Sequence, residues 1–156
     1  MHLATSLIIC LFIGLFTSSA HAQTGDQDTL WLKQQLNQLV LGDEQGIKPV
    51  FIFQPCQMRV VVDTKQEGIK VKANLDWPLG EIRKVSYQPT ETGHYTLKLD
   101  IPDNKLKGKI KVGFFSKRLR HIGNDNQSSF DLNTNDEQLV RRIQQQFESV
   151  IARCQK

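Results

Sequence analysis

The stretch Ile69-Lys70-Val71-Lys72-Ala73-Asn74-Leu75-Asp76 alternates apolar and polar side chains without a break. Successive residues of an extended chain point to opposite faces, so a period of two predicts a strand with one buried face and one wet face. Strands of that kind belong to antiparallel sheets, because parallel sheets are covered on both sides. Upstream, Glu67-Gly68 marks a turn, and Cys56, Met58, Val60 and Val62 alternate before it. Phe51 and Phe53 alternate earlier still, and Pro55 between the two runs predicts an edge or a bulge that resets the register. Downstream, Trp77-Pro78-Leu79-Gly80 predicts an apolar turn, and residues 82–87 a weaker strand. A turn over 89–93 leads to Tyr95, Leu97, Leu99 and Ile101, again at alternate positions. After Pro102-Asp103-Asn104, Ile110, Val112 and Phe114 alternate with Lys109, Lys111 and Gly113. Residues 116–127 are polar and basic and predict the longest loop, with a short final strand over 128–132. Strands joined by short turns predict an antiparallel meander.

A helix is predicted on either side of this β region. From Asp28 or Thr29, which offer a cap, to about Val40, the residues Leu32, Leu36, Leu39 and Val40 recur at helical spacing, and Gly42 stops the run. Residues 23–28 are polar and predicted to be disordered. Near the C-terminus, Thr134 and Glu137 have the spacing of a capping box. Leu139, Val140, Ile143, Phe147, Val150, Ile151 and Cys154 then form one apolar stripe. The fold class is therefore α+β: an antiparallel sheet of about five or six strands, meander-like, covered on one face by N- and C-terminal helices.

Residues 1–22 carry an export signature. Leu7 to Phe16 is apolar throughout, shorter than the ~20 residues that span a bilayer. Ala20-His21-Ala22 places small residues at −3 and −1 of a cleavage site, so the mature domain is expected to run over 23–156 and not to be an integral membrane protein. The n-region lacks Lys and Arg. Of the three cysteines, cleavage leaves Cys56 and Cys154. One lies on a predicted strand face and the other on a predicted helix stripe, both toward the core. In an exported protein that pattern predicts an intramolecular disulfide. Periplasmic or secreted localisation is the expectation.

The charge of +4 is unevenly placed. Between positions 98 and 120 lie Lys98, Lys105, Lys107, Lys109, Lys111, Lys117, Arg118 and Arg120, against only Asp100 and Asp103. Such a surface implies an anionic neighbour, here an acidic protein or an anionic envelope component, with nucleic acid disfavoured by compartment. Three sites follow. Lys117, Arg118, Arg120 and His121 gather in the expected loop, where they would clamp a carboxylate or phosphate. Lys70, Lys72, Lys98, Lys109 and Lys111 fall on the polar side of their strands, as a basic face or as lysines that resist edge pairing. Trp77 at its turn is either a binding hot spot or a core plug, and core is the commoner fate.

No G-x-S-x-G, H-E-x-x-H or glycine-rich phosphate loop occurs, and no metal or cofactor is expected. Asp63, Asp76, Glu81 and Asp100 lie near strand ends, but their spacing selects no catalytic pair. The expected function is a non-enzymatic binding or accessory protein of the cell envelope, of inhibitor or immunity type. A small envelope hydrolase acting on glycan or peptide, and an accessory protein docking on anionic lipid, are the rival expectations.

Overall fold

A computed structural model describes residues 20–42, 46–113, 115–119 and 127–155. The chain runs through helix α1 (Ala20–Leu39), strands β1 (Val50–Gln54), β2 (Gln57–Gln66) and β3 (Ile69–Pro78), a single 3-10 turn (Leu79–Glu81), and β4 (Lys84–Pro89) and β5 (Tyr95–Asp100). Strands β6 (Lys107–Val112), β7 (Phe115–Leu119) and β8 (Gln127–Leu132) and helix α2 (Glu137–Cys154) complete it. All pairings between these strands are antiparallel, in an α+β fold with a helix at each end. The strands divide into two sheets where sequence periodicity predicts one. The larger has the order β1-β2-β3-β6-β7 and the smaller β4-β5-β8. The chain leaves the first sheet after β3, builds two strands of the second, returns for β6 and β7, and ends in β8.

Two tight hairpins set the register of the larger sheet. Glu67 and Gly68 join β2 to β3, both with positive φ (49° and 84°). That is the signature of a two-residue turn whose twist matches its strands. Pro55 and Cys56 join β1 to β2 between the paired Gln54 and Gln57, with Cys56 at φ 53°. Proline fixes the first turn position and the second is left-handed. Cys56 is thus an exposed turn residue, not a member of the strand face that carries Met58 and Val60.

The core lies where the inner face of β1-β2-β3 meets the smaller sheet and the helices. Phe51, Met58, Val60 and Trp77 from one side and Val85, Leu97, Leu99 and Leu132 from the other are buried. Phe130 links them, with its ring centroid 5.1 Å from that of Phe51 and 5.6 Å from that of Trp77. Helix α2 buries Val140, Ile143, Phe147, Val150 and Ile151, the expected stripe, against β4, β5 and α1. Its cap differs from the predicted capping box. Asp136 is the N-cap and accepts from Leu139 N, while Thr134 Oγ1 accepts from Asp136 N. Glu137 turns outward instead, accepting from Tyr87 and Arg141.

Helix α1 begins earlier than expected and includes residues 23–28. It buries Leu32, Leu36 and Leu39, and is tied to α2 by Asp28 with Arg153 (3.0 Å) and by Arg142 over the Trp31 ring (4.6 Å). The Cys56–Cys154 disulfide, with Cα atoms 5.3 Å apart, fastens the end of α2 to the β1–β2 turn. The 3-10 turn sits against the same joint. Leu79 N donates to Cys56 O, and a Cβ on Gly80 would stand 2.7 Å from Cys154 O, so only glycine permits this approach.

Candidate binding face

The register shows which polar side chains share a face. Opposite residues of an antiparallel pair lie side by side on the same face. Arg59, Asp76 and Lys107 form one row, Val61, Asn74 and Lys109 the next, then Asp63, Lys72 and Lys111, and finally Lys65 and Lys70. Across β2, β3 and β6 this outer face thus carries six lysines and Arg59 against Asp63 and Asp76, and Arg118 of β7 stands in the row of Lys109. Arg59 and Asp76 neutralise each other through a two-pronged contact of 2.5 and 3.3 Å. That hydrogen bond, with the carboxylate charge behind it, raises the Arg59 guanidinium above its ordinary value. Asp63 lies 3.6 Å from Lys70. Lys65, Lys72, Lys107, Lys109 and Lys111 have no carboxylate within ion-pair distance among the described residues. Two like-charged pairs stand directly opposite, Lys72 with Lys111 and Lys65 with Lys70. Like charges directly opposite each other are unfavourable, and Asp63 offsets this at Lys70 but at neither Lys72 nor Lys111 within ion-pair distance.

Beyond the Arg59 row, the basic rows belong to a part of the sheet that runs past the core. From Val60, the last buried residue of β2, the strand continues to Gln66, roughly 20 Å at about 3.4 Å per residue. Along this arm the inner face is only partly covered by the described residues. Val62, Val71, Ala73 and Ile110 are half-buried, and Ile69, Val112 and Phe115 are exposed, Phe115 at 84%.

The sequence-predicted sites separate. Lys109 and Lys111 lie in β6 on the basic face, beside Asn74 and Lys72 of β3. Lys98 does not join them, because β5 is in the smaller sheet. Lys117 and Arg118 are not in a loop: β7 pairs Arg118 with Lys109, Lys117 with Ile110 and Ser116 with Lys111. Lys117 therefore lies in the row of Ala73 and Ile110, on the apolar side. Arg120 and His121 lie outside the described residues. Trp77 is core, 2% exposed, so the hot-spot alternative fails. Lys107 and Lys65 complete the face. Neither sits in a clean apolar–polar alternation, and only the strand pairing recruits them.

Among the candidate carboxylates, Asp76 faces Arg59, Asp63 lies beside Lys70, and Glu81 accepts from Lys105 at 2.9 Å. No group of three His, Cys, Asp or Glu side chains placed to hold a metal occurs among the described residues. Nor, among them, is any helix long and apolar enough to cross a membrane. No family model, curated protein or solved structure matches the chain.

Proposed function

We propose that this chain is an exported, non-enzymatic binding protein of the cell envelope that engages an acidic partner through the lysine face of its larger sheet. The observation that carries the reading is Lys72 directly opposite Lys111 on strands that extend past the core, neither with a carboxylate within ion-pair distance among the described residues, since Asp63 on the other side of Lys72 is engaged with Lys70. That juxtaposition costs folding energy, and an anionic partner relieves it. Solubility alone is served by charges of both signs in balance, whereas six lysines and Arg59 stand here against two carboxylates.

Export is supported by the apolar run over 7–16 and by the Cys56–Cys154 bond, which persists in oxidising compartments. The described ion pair of α1 to α2 is made by Asp28, which lies within the expected mature domain. The hydrolase reading has less support: Asp63, Asp76 and Glu81 are each engaged with a cation rather than turned toward one another.

Affinity capture from envelope extract, with wild type and a Lys109→Glu/Lys111→Glu variant, tests the proposal. An acid-rich protein retained by wild type, released by salt and absent from the variant is the expected result. The same proteins retained by both overturns it. Vesicles of anionic lipid are run in parallel, and binding to vesicles with no protein captured assigns the face to lipid.

A further inference from the structure

Sheets have edges, and an edge strand with free backbone groups pairs with any extended chain that reaches it. In this protein three of the four sheet edges make hydrogen bonds to the rest of the described chain, at one or more residues each. At β1, the Asn37 amide imitates a neighbouring strand: its Oδ1 accepts from Phe51 N (2.8 Å) and its Nδ2 donates to Phe51 O (3.1 Å). At β4, Gln144 Nε2 donates to Val85 O at 3.2 Å. At β8, the chain after α1 runs alongside, with Val40 bridged to Leu132, Leu41 N donating to Asp131 O and Asn133 N to Leu39 O. The outer edge of β7 has no such partner among the described residues.

We infer that the β7 edge receives an extended, acid-rich polypeptide segment, which adds as a sixth strand to the larger sheet. The inference rests on the acidic-partner reading above and specifies how that partner is held. Main-chain pairing supplies affinity in strand addition, and the alternate side chains supply specificity. An incoming strand beside β7 sets half of its side chains on the basic outer face, in the rows of Arg118 with Lys109 and of Ser116 with Lys111, which selects carboxylates. The other half meets the inner face, where Phe115 is 84% exposed and Val112 and Ile69 are exposed beside it, with Lys117 in the next row. That side selects an apolar residue near Phe115 and an acid near Lys117.

Charge also decides against a second copy of the chain. Two β7 edges paired about a two-fold axis would merge two lysine faces into one and bring two Lys117-bearing strands together. Like charges directly opposite are unfavourable, whereas an acidic strand is not. Lys117 on the apolar side of an edge strand therefore guards the edge against copies while leaving it open to an anionic segment.

The test uses a blocked peptide of about ten residues alternating Glu and Val, long enough to span an edge strand. A second peptide has the same sequence with every other backbone nitrogen methylated, which keeps the charge and removes strand pairing. Binding is followed by anisotropy, and hydrogen exchange is read over 115–119. The first peptide is expected to bind and to slow exchange at alternate amides of 115–119. The methylated peptide and a Phe115→Ser variant should each bind at least about tenfold more weakly. Equal binding of both peptides, sensitive to Lys109→Glu/Lys111→Glu, leaves the acidic-partner reading standing and overturns strand addition. No binding of either peptide overturns both. A dimer seen by sedimentation without peptide, with 115–119 already protected, gives the edge to a second copy and overturns the inference.

Discussion

At the scale of single residues, two side chains carry structural weight that their positions in sequence do not announce. Asn37 lies on α1 among polar neighbours, yet both halves of its amide are spent on the backbone of Phe51, a buried residue of an edge strand. Asn37→Ala leaves that N–H and C=O without a partner, which should lower unfolding free energy by about 1–3 kcal/mol in urea denaturation. Gly80 is the second. Its missing Cβ is the space through which the end of α2 reaches the 3-10 turn, and the opposing atom is backbone, which cannot rotate away. Gly80→Ala should destabilise by about 1–3 kcal/mol, read as a lower urea midpoint with an unchanged slope.

At the scale of elements, the disulfide closes a loop of 98 residues, and the chain-entropy argument assigns it about 4–5 kcal/mol. Cys56→Ser/Cys154→Ser should unfold at correspondingly lower urea, with hydrogen-exchange protection lost first in the last turn of α2. Elements with an unbroken pattern were legible in the sequence: β2, β3, β5 and the buried stripe of α2 follow from alternation and 3.6-residue spacing. The core covers their inner residues in β5 and α2 and at the core end of β2 and β3, where Met58, Val60 and Trp77 are buried, while the same alternation runs on to the exposed Ile69. Others were not legible, for physical reasons. In β7, Ser116, Lys117 and Arg118 carry no alternation, because the strand lies beyond the core and only its pairing with β6 makes it a strand. Cys56 reads as a strand residue by parity, but Pro55 before it makes a two-residue turn that uses up that parity. The division into two sheets depends on which strands meet after long separations, which local periodicity does not encode.

At the scale of the whole molecule, the sequence located the charge and left its geometry open. Of the residues singled out at first, Lys109 and Lys111 reach the basic face, Lys98 is in the other sheet, and Lys117 lies across the strand from it. What the fold adds is an arm: strands long enough to leave the core, basic on one face and apolar on the other, ending in an edge without a described partner. Binding through such an arm should fall steeply as ionic strength rises, since exposed charges are screened over about 10 Å at 0.1 M salt. The slope of affinity against salt should shrink in any variant that removes a lysine from the face.

Under the proposed function, the opposing lysines are held for a partner at a cost to the fold. Lys111→Glu tests it most directly, because it places a carboxylate opposite Lys72. Unfolding free energy and affinity for the alternating Glu/Val peptide are measured on the same variant. The expected result is stability unchanged or higher by about 0.2–1 kcal/mol, with affinity lower by at least about tenfold. A variant that loses stability, or that binds the peptide as wild type does, contradicts the account.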